Sequence, residues 1–391
     1  MDPQLRRAVL LALNGHPGLS RDAICRLALT VDGWAGGGER PAPAWAAEIG
    51  VAPSALAAAA ALVATARDRA AAVETHAAAR EVQVIVSGDA QYPRALHELA
   101  LPPPVLFCRG RLPDRPGIAI VGSRAADPYG IEATTFFAGA LARSGLAVVS
   151  GFARGIDSAA HRAAVRDQDG RTIAVLGCGI DLDYPRGSGR LRREVERQGA
   201  LVSEFPPGTP ALAHNFPIRN RLIAALGVAC LVVQAAPRSG SLNTARHALD
   251  LGRDVWAVPG RIFDWRSAGA HQLLRDGASP AIDPDHIVES LTLEVKDTLR
   301  RAAARSSAER AASAPGGSAA EPDRRSPDGC DRGLDRRVLD LLTTGDAVTA
   351  EHLSTRCGAS VGRVLAALLD LEIDGRVVRV AGPRFVKRAT P

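Results

Sequence analysis

The fold is decided by the stretch Ile118-Ala119-Ile120-Val121-Gly122-Ser123-Arg124, in which a short apolar run leads into a glycine turn carrying a hydroxyl and a guanidinium group. A second such turn is Ser150-Gly151-Phe152-Ala153-Arg154-Gly155, and Ser239-Gly240-Ser241 is a third. Each turn opens a helical pattern, and the free N–H groups and positive dipole of a helix N-terminus attract phosphate. Glycine lets a ligand approach the backbone, while arginine adds a bidentate phosphate donor. Three such turns predict a ligand with several phosphate groups.

Short apolar runs alternate with helical patterns from residue 116 to about residue 292. The predicted strands lie at 118–121, 147–149, 172–176, 201–203, 229–233 and 255–258. The predicted helices lie between them, at 129–143, 156–164, 190–198, 218–225 and 241–251. Strands that are buried on both faces of a parallel sheet are apolar throughout. The alternation therefore predicts a Rossmann-like, doubly wound α/β domain that binds its ligand outside the carboxyl ends of the strands.

A dinucleotide cofactor is not expected, because the glycine fingerprint for one is incomplete. Arg124 stands where the turn at Gly122 would need a second glycine. Leu182 stands where the Gly177-Cys178-Gly179 turn would need a small residue. We therefore predict no cofactor for this domain.

Catalytic residues are not expected either. Asp157 is predicted to cap a helix, and His161, four residues later on the same helical face, is interpreted as a structural histidine. Glu204 is the most prominent lone carboxylate, and a salt bridge or a cap is favoured over a role as a base. Since no nucleophile, base and orienting group form a set, the sequence predicts a binding protein and not an enzyme.

Phe216 stands in a polar, proline-interrupted loop directly before Arg219-Asn220-Arg221. Aromatic residues make up only 4% of the chain, so a phenylalanine in such a loop invites a functional interpretation. Proteins hold single strands by stacking bases on aromatic rings beside phosphate-binding cations. Core packing of Phe216 is the alternative that the residues leave open.

Composition indicates an ordinary globular protein. The chain has 391 residues, 46% hydrophobic and 23% charged, which suits two or three domains. Its net charge of +6 is compatible with an acidic partner such as nucleic acid. The six cysteines form no CxxC pair, so we expect no zinc site and favour a reducing cytoplasm. We recognise no signal peptide and no segment long and apolar enough for membrane insertion.

Four segments are predicted along the chain. Residues 1–75 are an N-terminal helical domain, SAM-like or helix-hairpin-like, whose glycine turn at His16-Pro17-Gly18 either meets a DNA backbone or only packs. Residues 76–295 form the extended Rossmann-like domain. Residues 296–333 contain almost no large apolar side chains and are predicted to be a disordered linker. Residues 334–391 show three helices and a small hairpin, the outline of a winged helix.

Several strings around the glycine turns occur in the order found in one known family. They include Val121-Gly122-Ser123-Arg124, Ser150-Gly151-Phe152-Ala153-Arg154-Gly155-Ile156-Asp157, Ser203-Glu204-Phe205-Pro206-Pro207-Gly208, Phe216-Pro217-Ile218-Arg219-Asn220-Arg221 and Leu273-Leu274-Arg275-Asp276-Gly277-Ala278. With the shorter strings between them, they resemble the DNA-processing protein A family (DprA, also called Smf) from about residue 85 to about residue 285.

The resemblance implies a non-catalytic protein that binds single-stranded DNA on its Rossmann-like domain and dimerises through it. It also implies that the protein helps to load the RecA recombinase, especially on DNA taken up in natural transformation. The motifs and the resemblance together assign DNA binding to Gly122, Ser123, Arg124, Ser150, Gly151, Arg154, Gly155, Phe216, Arg219, Asn220, Arg221, Ser239, Gly240 and Ser241. Two departures concern this pocket: Gln234 replaces a common glutamate, and Asn243 replaces a common apolar residue.

Two other functions are considered. The domain more distantly resembles nucleotide-processing phosphoribohydrolases, which carry a glutamate after a glycine-rich loop. The comparable turn, Arg238 to Thr244, is followed by no glutamate at the helix start, which favours binding over hydrolysis. Transcriptional regulation through the C-terminal domain is disfavoured, because the predicted recognition helix 361–374 has Arg363 as its only base.

Overall fold

The six predicted strands all belong to one nine-stranded sheet in a computed structural model of the chain. The structure describes residues 1–35, 43–166, 170–302, 332–342, 348–373, 376–380 and 384–387. The chain divides into two compact units, Met1–Ala314 and Pro315–Pro391, and the large sheet lies in the first.

The strands of the large sheet are β1 (Gln83–Val86), β2 (Val105–Gly110), β3 (Gly117–Val121), β4 (Ala147–Ser150), β5 (Arg171–Leu176), β6 (Ala200–Ser203), β7 (Gly227–Val232), β8 (Asp254–Ala257) and β9 (Ser279–Pro280). Their order across the sheet is β1-β2-β6-β5-β4-β3-β7-β8-β9. Pairing is parallel from β6 to β9, whereas β1 and β2 add an antiparallel edge beside β6. The doubly wound α/β prediction is therefore confirmed, and the antiparallel edge is new.

The N-terminal helices are α1 (Pro3–Asn14), α2 (Arg21–Leu29), α3 (Val31–Trp34), α4 (Pro43–Ile49), α5 (Pro53–Leu62) and α6 (Ala66–Ala78). The side chains of Asp2 and Ser20 accept backbone N–H groups at the starts of α1 and α2, where free donors need a partner. The apolar faces of these helices share one core with the β2 residues Val105 and Phe107. The helical region and the α/β region thus belong to one compact unit.

The helices of the α/β region are α7 (Pro128–Arg143), α8 (Ile156–Arg166), α9 (Gly189–Gln198), α10 (Asn215–Leu226), α11 (Gly240–Asp250), α12 (Ala268–Arg275) and α13 (Pro284–Ser290). The described part of a further helix, α14, covers residues 293–302. Its Leu299 is buried in the core formed with α7, so the first described residues of the predicted linker 296–333 are helical. Residues 303–331 of that linker lie outside the described residues.

Alternate residues of β3 supply the two faces of the sheet. Ile118 and Ile120 pack with residues of α7 and α8, whereas Ala119 and Val121 pack with residues of α10 and α11. Burial of each isoleucine side chain contributes about 1.5–3 kcal/mol, which explains why the strand is apolar throughout. Both faces of the sheet are covered, so a ligand that contacts the strands themselves must do so at their ends.

The connections on the two sides of β3 lead to opposite halves of the sheet. The neighbours of β3 are β4, which follows it in sequence, and β7, which returns from the other half of the sheet. Loops that diverge in this way leave a crevice outside the carboxyl ends of the strands. The three glycine turns follow β3, β4 and β7, and they therefore meet at this crevice.

The second unit contains α15 (Arg332–Leu341), β10 (Val348–Thr349), α16 (Ala350–Cys357), α17 (Val361–Ile373), β11 (Val377–Val380) and β12 (Arg384–Lys387). The three strands form an antiparallel sheet in the order β10-β12-β11. Helix α16 begins at the capping hydroxyl of Thr349 and ends at Gly358, which has a φ of 62°. The predicted winged helix is confirmed, with β10 as an element that the sequence did not reveal.

Within the described ranges, no helix is both long enough and apolar enough to span a membrane.

Candidate nucleic-acid interface

The crevice at the carboxyl end of β3 is a cavity of about 360 Å³. Four segments line it: the turns after β3, β4 and β7, and the first turns of α10. The lining residues are Val121, Gly122, Arg124, Ala153, Asp157, Ala213, Phe216, Pro217, Arg219, Asn220, Ile223, Ser239, Gly240, Ser241 and Thr244. The topology thus brings together sequence motifs that lie more than 100 residues apart.

The first two glycine turns pack against each other. Gly155 has a φ of +77°, and a Cβ atom on it would lie 2.3 Å from the carbonyl oxygen of Ser123. A Cβ atom on Gly122 would lie 2.6 Å from Cγ1 of Ile156. Only glycine allows both close approaches, because any larger residue would force the turns apart. This packing positions Arg124 at the mouth of the crevice, where its side chain is exposed.

A buried arginine and a buried aspartate form the floor of the crevice. Arg219, 3% exposed, donates from Nη1 to the carbonyl oxygens of Gly151, at 2.8 Å, and Val175. A Cβ atom on Gly151 would lie 2.8 Å from both Nη2 of Arg219 and Oδ2 of Asp157, so these charged groups meet at this glycine. Burial lowers the pKa of Arg219 to about 10, which leaves it charged at neutral pH. Burial raises the pKa of Asp157, and the charge of Arg219 opposes that shift.

Phe216 lines the crevice at the first turn of α10 and is only partly buried. The guanidinium carbons of Arg124 and Arg219 lie 5.0 Å and 5.9 Å from its ring centroid, within cation–π range. The ring of Tyr184 lies 5.4 Å away and is tilted by 37°. A Cβ atom on Gly177 would lie 2.8 Å from Cδ1 of Phe216, so this glycine makes room for the ring. An aromatic surface is thus held next to two cations.

The third glycine turn presents polar groups to the opposite wall. The hydroxyl of Ser239 accepts the backbone N–H of Ser241 at 3.3 Å and lies 2.6 Å from the Ser241 hydroxyl. Asn220 of α10 donates from Nδ2 to the carbonyl oxygen of Gly240 at 3.0 Å. These hydrogen bonds fix the start of α11, whose N-terminal end faces the cavity. Phosphate oxygens are the ligands that such an end prefers.

Comparison with known proteins identifies the family. Residues 83–292 match the family described as DNA recombination-mediator protein A, and residues 319–383 match the DprA winged helix domain. The first match alone covers more than half of the chain. The chain belongs to the DNA recombination-mediator protein A family. The resemblance drawn from the sequence strings is therefore confirmed.

Relatives within this family match between about half and three quarters of the chain. Protein Smf of Escherichia coli (strain K12) is 40% identical over 295 residues, which are 74% of this chain and 74% of that protein. The DNA processing protein DprA of Streptococcus pneumoniae (strain R6) is 42% identical over 189 residues, 48% of this chain and 66% of that protein. An X-ray structure of DprA from Streptococcus pneumoniae superposes with a TM-score of 0.58 at 31% identity, covering 74% of this chain and 96% of that one.

Most of the predicted DNA-binding residues of this family member line the crevice or support its walls. Gly122, Arg124, Phe216, Arg219, Asn220, Ser239, Gly240 and Ser241 line it directly. Gly151 and Gly155 shape the turns beneath it, and the Ser123 carbonyl packs against Gly155. Ser150 is fully buried and donates its hydroxyl hydrogen to the carbonyl oxygen of Ile120, so it holds the sheet together. Arg154 is exposed and does not line the cavity.

Arg221 is not brought to the crevice. Its Nη2 lies 2.6 Å from Oε2 of the fully buried Glu204. The carbonyl oxygen of Glu204 in turn accepts from Arg21 at 3.0 Å and from Asn14 at 3.3 Å. Arg221 therefore belongs to a polar contact between the N-terminal helices and the sheet. The salt-bridge interpretation of Glu204 is confirmed.

The two departures from the family pattern have structural partners. Gln234 is buried, donates from Nε2 to Oδ1 of Asp127 at 2.9 Å and accepts the Asp127 backbone N–H at 3.3 Å. Asp127 caps α7, so Gln234 supports the helix that follows the first glycine turn. Asn243 accepts from Asn220 through its side-chain oxygen at 3.4 Å. Both residues stabilise the walls of the crevice from behind.

Two site residues were underestimated from the sequence. Asp157 was interpreted as a cap, and it does accept the backbone N–H of Ala153 at 3.2 Å, but it also lines the cavity beside Arg219. Tyr184 was not singled out from the sequence, and its ring packs against that of Phe216. Tyr184 could have been found from its position in the loop after β5, because the loops that follow the parallel strands lie at the crevice edge of the sheet.

Proposed function

We propose that the protein binds single-stranded DNA in the crevice and acts as a recombination mediator without catalysing a reaction. The observation that carries the proposal is the partly exposed ring of Phe216, held by Gly177 and Tyr184 beside the guanidinium of Arg124. A base stacked on this ring would place its phosphate near Arg124 and the start of α11. Base–aromatic stacking contributes about 1–3 kcal/mol per base and tolerates any sequence.

The arrangement favours a single strand over a duplex. In a duplex the base faces are already stacked on their neighbours, so a ring such as Phe216 can reach one only after unstacking. A cavity of about 360 Å³ can admit an unstacked base but is too small to enclose a duplex. Binding through phosphates must weaken as salt rises, because counterions are released.

Hydrolysis of nucleotides, the alternative activity, lacks support in the geometry. Asp157 is the carboxylate that lines the crevice, and it is buried beside the charge of Arg219. Glu204 is engaged by Arg221 and lies outside the cavity lining. Neither group is free to act as a general base on a bound water.

We further propose that the protein dimerises through the Rossmann-like domain and delivers RecA to the bound strand, as on DNA acquired in natural transformation. The loop after β8 supports a dimer contact, because Ile262, Phe263 and Trp265 are 79%, 96% and 62% exposed. Apolar side chains of this size that stand together on a surface indicate a partner. Membership of a recombination-mediator family supports RecA as the protein that receives the strand.

The test of DNA binding is a gel-shift comparison of single-stranded and duplex DNA across a salt series. We expect tighter binding of the single strand, weakening with salt, and a clear loss in Arg124→Ala. Arg143→Ala is the matched control, since Arg143 is an exposed arginine at the far end of α7. Equal affinity for duplex, or an affinity independent of salt, would contradict the proposal. RecA delivery is tested by following RecA filament growth on the strand with wild-type protein and with Arg124→Ala.

A further inference from the structure

A second cavity, of about 550 Å³, lies between α8 and α9, and four of its nine lining residues are arginines. Arg162 and Arg166 reach it from the last turns of α8, and Arg190 and Arg197 reach it from α9. Glu194 is the one acidic residue in its lining, and it pairs with Arg190 at 3.0 Å. The cavity therefore carries a strong excess of positive charge.

Among the described residues, three of the four arginines have no carboxylate partner. Within the described ranges, Arg162, Arg166 and Arg197 form no ion pair, and all three are exposed. Arg197 also lines a neighbouring cavity of about 390 Å³, to which Arg111 contributes a further guanidinium. Like charges that stand together repel each other, and an anionic ligand would reduce that repulsion.

The spacing of these arginines suits a chain of phosphates. Arg162 and Arg166 are one helical turn apart, about 6 Å along α8, and Arg190 and Arg197 are two turns apart along α9. The positive charges are therefore spaced along the groove, as phosphates are spaced along an extended strand. A single small anion would contact only one part of this row of arginines.

One loop connects the groove to the crevice. Tyr184 stacks on Phe216 at the crevice, with ring centroids 5.4 Å apart. Three and four residues later, Gly187 and Ser188 line the arginine groove. The loop between β5 and α9 thus forms a short bridge from the stacking ring to the first arginines.

We propose that this groove between α8 and α9 binds the phosphate backbone of the single strand where it leaves the crevice, so that one strand occupies both sites. The proposal rests on single-strand binding at the crevice and adds the direction in which the strand runs. Bases stack at Phe216 and Tyr184, and the following phosphates contact Arg190, Arg162, Arg166 and Arg197. Nothing in the groove reads base edges, so its contribution is independent of sequence.

The test compares short and long oligothymidylates by fluorescence anisotropy across a salt series. The short strand has about 6 nucleotides, enough for the crevice, and the long strand has about 20, enough for both sites. The groove variant replaces Arg162, Arg166 and Arg197 together by alanine. The control variant replaces Arg67, Arg69 and Arg143, which are exposed arginines outside both cavities, so that the net charge of the two variants is equal.

We expect the groove variant to bind the long strand about tenfold more weakly at about 0.1 M salt, with a salt slope that is flatter by about 2, because each single-strand phosphate contact contributes about 0.7. Its binding of the short strand should match that of wild type and control. Replacing the same three arginines by lysine should restore long-strand binding, which separates charge from packing. Melting curves establish that all variants are folded.

Unchanged long-strand binding in the groove variant would overturn the inference while leaving the crevice site intact. An equal loss in the control variant, or an equal loss for the short strand, would do the same by showing a general effect of net charge. If wild-type protein binds neither strand, the proposed function fails and the inference fails with it. Retained long-strand binding in the groove variant would favour an acidic protein, instead of DNA, as the ligand of the groove.

Discussion

His161 should make this protein acid-sensitive, and the hydrogen bonds around it explain why. Its Nδ1 lies 2.7 Å from the hydroxyl oxygen of Thr172, which itself lies 2.7 Å from the carbonyl oxygen of Val148. A carbonyl only accepts, so the hydroxyl hydrogen points to Val148 and Nδ1 must carry the ring hydrogen. Protonation then falls on Nε2, which is buried and has no hydrogen-bond partner among the described residues. Burial, with the charge of Arg219, lowers the pKa of His161 to about 3.

The size of the effect follows from the two pKa values. The unfolded chain takes up a proton near the ordinary histidine pKa of 6.5, whereas the folded protein does so only near 3. Between these values the unfolded state binds more protons, so stability is complete above pH 6.5 and is lost as the pH falls toward 3. One pKa unit corresponds to about 1.4 kcal/mol, so at about pH 5 the loss should be about 2 kcal/mol. The ring of Phe152, in the second glycine turn, lies 5.5 Å from His161, so this loss should loosen the crevice wall.

The measurement is urea unfolding at several pH values between about 7.5 and 5, for wild type and for His161→Asn. Asparagine keeps a donor for Thr172 but cannot be protonated. The variant should be less stable than wild type at neutral pH, because it loses packing, yet its free energy of unfolding should depend less on pH. All other titrating groups are common to both proteins, so only the difference in slope matters. Equal slopes would refute the reasoning and mean that His161 is protonated as easily in the fold as in water.

Four further outcomes are expected. Phe216→Ala should weaken single-strand binding by about 1–3 kcal/mol with an unchanged salt slope. Arg124→Ala, in contrast, should flatten the salt slope by about 0.7. A Phe216→Ala protein that melts at a much lower temperature yet binds DNA normally would show that the ring serves packing. A chain ending at Ala314, which retains the whole first unit, should bind single strands almost as tightly as the full chain, and a large loss would make the winged helix a DNA reader. Gly155→Ala should cost at least about 1–3 kcal/mol of stability, because φ is positive and the new Cβ would lie 2.3 Å from the carbonyl oxygen of Ser123. Unchanged melting would show that the turn adapts. A panel of nucleoside monophosphates should show no turnover, and turnover that Glu204→Gln abolishes would establish an enzyme instead.

Much of the α/β region could be predicted because its signals are local. Each parallel strand is buried on both faces, so it appears in the sequence as an apolar run, and the six predicted strands differ from the observed ones by one or two residues at their ends. The edge strand β1 was missed because Gln83 and Val84 are not buried, which removes the apolar signal. Helices α12 and α13 were missed because they have only 8 and 7 residues, too few for a clear helical pattern.

The sequence by itself determined the order of strands and helices, the glycine turns and their meeting at one edge of the sheet, because these depend on local patterns and on general rules of chain connection. Only the tertiary structure decided which partner each arginine side chain contacts. Arg219 and Arg221 are neighbours in one motif, but two helical positions apart means about 200° around α10, so they point in opposite directions. Arg219 turns to the carbonyl oxygens of Gly151 and Val175, and Arg221 turns to Glu204. Those partners belong to segments far away in the sequence. Their packing around α10 makes Arg219 a crevice residue and Arg221 a structural one.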